Sequence, residues 1–218
     1  LPALKQDQEG ATWQGYVNSV GNALIKSVEL EIGGQLIDKH YSEWLEIYGE
    51  LNQSDEQYRA YKRMIGKYAS DVSLETNALE EKTYYVPLQF FFCRNPGLAL
   101  PLIALQYHDV QINLTLANVQ DCYWSSGAAR IPGDLVDVSL WVDYIYLDTD
   151  ERRRFAQASH EYLIEQLQYS GDIPITSTNE ILKMALNHPV KEIYPGISSD
   201  EIQYIIKNLG IIVYNIYI

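Results

Sequence analysis

Residues 94–110, RNPGLALPLIALQYHDV, contain the most informative structural signal in the sequence. Pro96 and Gly97 suit the central positions of a type II turn, because proline presets φ and glycine accepts a positive φ. A long apolar run follows, and apolar and polar residues alternate from Val110 to Leu116. Such alternation is typical of a strand with one buried face and one wetter face. The stretch therefore predicts a turn and a long strand, and it contains no motif that carries chemistry.

A hairpin is predicted before this stretch. Apolar and acidic residues alternate over residues 28–32, which indicates a half-buried strand. The Gly33-Gly34 pair then predicts a two-residue turn, with residues 35–41 as the returning strand.

Further strands are predicted on both sides of residues 94–110. Residues 84–92 are rich in aromatics, and Pro87 places them at a sheet edge or a bulge because proline donates no ladder hydrogen bond. Residues 135–148 alternate strongly and predict another long strand.

Short helices are predicted between the strands. Ser42 is suited to cap a helix through residue 48, and Ser54 with Gln57 has the spacing of a capping box. Gly66 is placed to end that second helix. Residues 149–160 predict a third helix that begins with a threonine and two acidic residues.

Composition limits the function. The chain has 16 basic and 29 acidic residues, a net charge of −13, so direct binding to nucleic acid is disfavoured. It has no run of about twenty apolar residues, so no membrane span is expected. Cys93 and Cys122 are predicted to be reduced thiols, because two cysteines do not make a disulfide framework.

The sequence predicts no catalytic, cofactor-binding or metal site. The four histidines lie far apart, and they show no metal-ligand spacing with one another or with either cysteine. They are His40, His108, His160 and His188. The chain lacks a Walker A loop, a dinucleotide fingerprint and a nucleophile elbow. Neighbouring carboxylates, such as those at 29 and 31 and at 80 and 81, are interpreted as solvated faces.

The sequence contains two weaker signals. Arg152-Arg153-Arg154 is the densest basic cluster, suited either to an acidic partner or nucleic acid, or to packing and ion pairing on a helix exterior. We favour the second interpretation, since the chain is acidic and three charges are few. Asn52 and Asn113 begin glycosylation triplets, which also occur often by chance.

Four segments together resemble the major capsid proteins of large eukaryotic DNA viruses, the group of chloroviruses, iridoviruses and mimiviruses. They occur in the order of that family, with variable loops between them, over roughly residues 1–193. The segments are residues 16–41, 94–110, 148–157 followed by 160–166, and 187–192.

The resemblance implies an all-β fold with short helical insertions, an antiparallel jelly-roll β-sandwich. It predicts the first barrel of a double jelly roll over residues 1–148, lacking its opening strands. An inter-barrel helix or linker follows at 149–160, and residues 161–218 begin the second barrel. Its first strands are expected at 162–168 and 181–191.

The function that the resemblance implies is structural. We expect a viral major capsid protein, without enzyme activity or cofactor, that forms trimeric capsomers in an icosahedral shell. Its partners are then neighbouring capsomers and minor capsid proteins, with no direct nucleic-acid contact; an inner viral membrane beneath the shell is compatible with this. The implied location is the virion, with assembly in the host cytoplasm. The alternative is a carbohydrate-binding or cupin-like module on a β-sandwich, which as a cupin needs clustered His and Glu ligands.

The end of the chain departs from the family pattern from about residue 194. Thirteen of the eighteen residues from 201 to 218 are Ile, Tyr, Asn or Lys. Two interpretations are open, an interrupted reading of a longer product or a hydrophobic strand. The leucine at position 1 likewise favours a fragment or a processed product.

Overall fold

The computed structural model describes most of the chain. The described residues are 1–2, 14–67, 81–125, 133–173, 181, 183–184, 186–196 and 209–217. The chain divides into two compact units. One contains Leu1–Val28, His40–Gln89 and Asn113–Asp148, and the other contains Glu29–Lys39, Phe90–Ile112 and Thr149–Ile218.

The described residues form eight strands and five α-helices. The strands are β1 (Gln14–Tyr16), β2 (Ile25–Ile32), β3 (Gln35–Tyr41), β4 (Val110–Leu116), β5 (Tyr123–Ser125), β6 (Ile164–Ile173), β7 (Val190–Gly196) and β8 (Leu209–Tyr217). The helices are α1 (Val20–Leu24), α2 (Ser42–Asn52), α3 (Asp55–Ile65), α4 (Phe91–Arg94) and α5 (Thr149–Gln157). The strands pair in the orders β1-β5, β3-β2-β4 and β6-β8-β7.

The predicted hairpin is confirmed. Strands β2 and β3 are neighbours, and Gly33 and Gly34 between them have φ values of 60° and 76°. A positive φ at both positions suits the turn that matches the twist of a tight hairpin. Val28 and Leu30 on β2 are fully buried, as the alternation predicted.

Strand β4 lies beside β2 in the antiparallel sense. The backbone N–H of Gly33 donates to Asp109 O and that of Ala117 donates to Leu24 O, each at 2.9 Å, so the two strands run in opposite directions. The predicted buried face is only partly covered, because Leu114 and Leu116 on β4 remain exposed.

The prediction of a type II turn followed directly by a long strand is wrong. Residues 96–98 form a 3₁₀ turn, and the Asn95 side chain accepts a hydrogen bond from the Gly97 N–H at 2.9 Å. Asparagine can stabilise a turn in this way because its side chain mimics a backbone carbonyl. Residues 101–107 continue as turns, with the N–H of Ala104 donating to Pro101 O at 2.8 Å, and the strand begins only at Val110.

Three other predicted strands need correction. Residues 84–90 and 135–148 have no strand assignment, and in the 181–191 segment the strand begins at Val190, directly after Pro189. Pro87 has no N–H for a ladder, and its carbonyl accepts a hydrogen bond from the Gln89 side chain at 3.3 Å. Alternation records which residues share a face, whereas a strand also requires a neighbouring backbone.

The helices begin and end close to the predicted positions. Helix α2 has Tyr41 rather than Ser42 as its N-cap and extends to Asn52. Ser54 precedes α3, but its hydroxyl donates to Gln57 Oε1 at 3.2 Å, so the capping box does not form. Gly66 ends α3 with φ 77°, as predicted. Helix α5 ends three residues before the predicted end of that segment, at Gln157.

The last sheet includes the unusual tail. Strand β8 pairs antiparallel with both β6 and β7, with Ile164 opposite Tyr217 and Ile193 opposite Val213. Of the two interpretations of the tail, the structure forms the hydrophobic strand over Leu209–Tyr217.

Candidate functional site

An exposed apolar row lies at the end of the first compact unit. Six alternating residues are each more than half exposed, and the neighbouring Trp141 and Ile145 are exposed too. We call these six residues the apolar row: Val136, Val138, Leu140, Val142, Tyr144 and Tyr146. A run of exposed large apolar side chains of this kind marks an interaction site more often than isolated exposed residues do.

The second notable feature of this unit is a polar cluster that joins α1, α2 and α3. We call it the Lys67 cluster; it consists of Ser19, Asn22, Glu46, Glu50, Tyr58, Tyr61 and Lys67.

Lys67 lies at the centre of the cluster. Its side chain is 5% exposed, and its ammonium group donates to Glu46 and to Glu50, both on α2. Glu50 also accepts a hydrogen bond from the Tyr58 hydroxyl. Burial acts to lower the pKa of Lys67, but the hydrogen bonds to the two carboxylates raise it overall. The bond from Lys67 is also the main reason why the pKa of Glu50 is lowered.

Polar side chains also fill the inner end of the cluster. Glu46 accepts hydrogen bonds from Ser19 Oγ at 3.1 Å and from Asn22 Nδ2 at 2.8 Å. The Tyr61 hydroxyl donates to Leu45 O at 3.3 Å and lies 3.2 Å from Asn22 Nδ2. Burial raises the pKa of Tyr61. These groups serve as hydrogen-bond partners for one another, and a buried polar network stabilises a fold when its donors and acceptors are paired in this way. The cluster therefore fastens three helices together.

The histidines are dispersed in the structure as in the sequence. His40 is fully buried, with its ring 6.4 Å from that of Trp44. His160 packs on Phe155, with Nε2 2.8 Å from the Phe155 carbonyl oxygen. His108 lies against Gly33. Among the described residues, no group of three or more His, Cys, Asp or Glu side chains is placed to hold a metal ion.

The second compact unit contains an apolar cavity of about 430 Å³. Its lining includes Ile37 from β3, Phe91 from α4, Leu105, and Tyr162 from the segment before β6. The walls offer few polar groups, with His160 and the Tyr162 hydroxyl among them, and that hydroxyl donates to Ala99 O at 3.2 Å. The arrangement contains no pair of groups that suits acid–base or nucleophilic catalysis.

Two adjoining parts of the chain match models of one protein family. Residues 2–148 match the model described as major capsid protein N-terminus, and residues 151–209 match large eukaryotic DNA virus major capsid protein.

This chain belongs to the major capsid protein family of large eukaryotic DNA viruses.

Individual relatives agree with the family match. The major capsid protein of Pyramimonas orientalis virus is 55% identical over 180 residues, covering 82% of this chain and 43% of the relative. The major capsid protein of Phaeocystis pouchetii virus is 45% identical over 225 residues, covering 88% of this chain and 43% of the relative. In a quasi-atomic model of the PBCV-1 virus capsid, a 40% identical chain superposes with a TM-score of 0.65, covering 87% of this chain and 45% of that one. The chain spans less than half the length of these relatives.

The similarity confirms the predicted fold class. This capsid-family chain has an all-β jelly-roll fold with short helical insertions. The strands in the described residues form three separate sheets and do not close into a barrel.

The weaker sequence signals lie on the surface of the capsid-family chain. The three arginines of α5 are exposed, and Arg153 lies 3.8 Å from Asp150 of the same helix. Asn52 and Asn113 are exposed, and Glu29 pairs across the hairpin with Lys39 at 2.6 Å. Glu80 lies outside the described residues. No helix in the described part of the chain is long and apolar enough to cross a membrane.

Sequence reasoning missed the Lys67 cluster. No sequence motif marks Lys67, yet it is buried. The available signal was its position directly after Gly66, which ends α3, together with the glutamates at 46 and 50 on the preceding helix α2. Spacing of four residues places those two carboxylates on one helix face, where a single cation can reach both.

Proposed function

We propose that this chain is a structural part of a viral capsid and that it acts by assembly rather than by catalysis. The family match supports the capsid role, and the apolar row is the observation that carries assembly. An apolar strip that is more than half exposed in the chain alone is stabilised when further polypeptide covers it. In a shell protein that polypeptide belongs to the same or a neighbouring subunit.

The finer parts of the proposal follow the family. The two family models meet between residues 148 and 151, which supports a first jelly roll over 1–148, a linker at 149–160 and the start of a second jelly roll at 161–218. We propose trimeric capsomers in an icosahedral shell, with minor capsid proteins as further partners and no direct contact with the genome. The proposed location is the virion, after assembly in the host cytoplasm.

The alternative, a carbohydrate-binding or cupin-like module, receives no support from the site. A cupin needs histidine and carboxylate ligands gathered on inner strands, whereas the described residues contain no such group.

Light scattering after size-exclusion chromatography tests the proposal. We expect the chain to form trimers or larger species, and Val138→Lys/Val142→Lys to shift it toward monomer, because lysines in the apolar row resist burial. The matched control is Asp137→Asn/Ser139→Lys, which makes the same charge change of about +2 at polar positions of the same segment. A monomeric wild-type chain that binds glycans, or equal effects of both variants, contradicts the proposal.

A further inference from the structure

One edge of strand β6 is held by residues from a distant part of the sequence. In the described residues β6 pairs only with β8, so its other edge has no strand in register. On that edge the backbone N–H of Leu167 donates to Asp38 Oδ1 at 3.0 Å, and the Gln166 side chain donates to Ile37 O. Strands β3 and β6 are therefore joined through side chains rather than through a backbone ladder.

Asp38 is suited to this contact by its burial and its hydrogen-bond donors. It lies on β3 and is 3% exposed, so its carboxylate has little water around it. A buried carboxylate is tolerated when hydrogen-bond donors surround it. Asp38 accepts from the N–H of Lys39 at 2.9 Å as well as from Leu167.

A carboxylate bridge lies on the same strand, two residues before Leu167. Glu165 Oε2 accepts a hydrogen bond from Arg94 Nη1 at 3.0 Å, and Oε1 accepts one from Lys191 Nζ at 2.5 Å. Arg94 ends α4 and its side chain is 12% exposed, whereas Lys191 lies on β7 and is 42% exposed. One carboxylate thus forms ion pairs with two cations that are 97 residues apart in the sequence (191 − 94).

We propose that Asp38, Arg94, Glu165 and Lys191 form a seam that fixes the start of the second jelly roll to the first. Asp38 and Arg94 belong to the part matched by the N-terminal family model, and the other two belong to the part matched by the second model. The inference rests on the division of the chain proposed above. A subunit with two jelly rolls presents one outline to its neighbours only if the two are held at a fixed angle, and the seam supplies that constraint.

Hydrogen–deuterium exchange on the chain 1–218 tests the seam. In Glu165→Gln and in Asp38→Ala we expect the backbone amides of residues 164–168 to exchange about tenfold faster, because a charge-assisted hydrogen bond is lost. The amides of α3 keep their wild-type rates. Glu161→Gln and Asp137→Ala are matched controls, since both side chains are exposed, and they leave both regions unchanged.

A double variant separates pairing from general destabilisation. Arg94→Met and Glu165→Gln combined are expected to accelerate exchange no more than the stronger single change does, because both remove the same interaction. Three results would overturn the seam. They are fully additive effects of the two changes on the exchange rates, unchanged exchange at residues 164–168, and an equal acceleration of exchange in α3. None of these results alters the light-scattering outcome, so a failure of the seam is distinguishable from a failure of the proposed assembly.

Discussion

Replacing Lys67 by methionine tests whether the Lys67 cluster stabilises the first compact unit. Methionine keeps the aliphatic length and removes the charge. The Lys67 side chain is 5% exposed, whereas those of Glu46 and Glu50 are 34% and 45% exposed. Removing one partner of a fully buried pair costs about 3–5 kcal/mol. Since the two carboxylates can regain water, we expect a loss of about 2 kcal/mol. For a chain of this size the midpoint of thermal unfolding then falls by about 4–8 °C.

Thermal unfolding followed by circular dichroism measures this loss. Lys26→Met is the matched control, because Lys26 is an exposed lysine on β2. The triple variant Glu46→Gln/Glu50→Gln/Lys67→Met should recover part of the lost stability, because it also removes the two carboxylate charges that Lys67→Met leaves without their cation. A midpoint for Lys67→Met within about 1 °C of that for Lys26→Met would contradict a stabilising role for the Lys67 cluster, since it would correspond to only a few tenths of a kcal/mol.

The same cluster predicts a sensitivity to acid. The hydrogen bonds from Lys67 and Tyr58 lower the pKa of Glu50 below its ordinary value of 4.5. The folded chain therefore binds this proton less readily than the unfolded chain. The resulting stabilisation is present above pH 4.5 and is lost as the pH falls through the lowered pKa. In Lys67→Met the decline in unfolding free energy below pH 4.5 should be shallower than in the wild type. Identical pH profiles would exclude Lys67 as the cause.

Two further predictions concern single positions. Gly33→Ala should lower the free energy of unfolding in urea by more than Gly34→Ala, for which a loss of about 1 kcal/mol is expected. Both glycines have a positive φ, but only at Gly33 would the new Cβ meet His108, at 2.7 Å from Nδ1. Equal losses in the two variants contradict this steric argument. A thiol reagent at pH 8 should modify the exposed Cys93 in the native chain and reach Cys122 only after unfolding, because Cys122 is buried. Burial raises the pKa of both thiols, that of Cys122 to about 11, so the expected difference in rate comes from access. Native modification of both thiols at equal rates counts against this.

The features that the sequence predicted well depend on neighbouring residues. The Gly33-Gly34 turn needs only two adjacent positive φ values, and Gly66 ends α3 for the same local reason. The seam could not be predicted, because its partners are up to 129 residues apart in sequence (167 − 38). Nothing in the residues around Glu165 indicates which cation it contacts. Family resemblance supplied the fold class, which local patterns alone would have left as a set of strands without an arrangement.

The segment 135–148 shows why a correct periodicity can still give a wrong strand. Alternation along a chain indicates that one face is shielded in the environment to which the sequence is adapted. In the described structure that face is open, and Val136 and Tyr146 are 72% and 91% exposed. The alternation and the exposure are compatible if the shielding layer is further polypeptide of the same or a neighbouring subunit. The failed strand prediction and the proposed assembly are then two consequences of one feature, a face that is apolar because it is covered in the capsid.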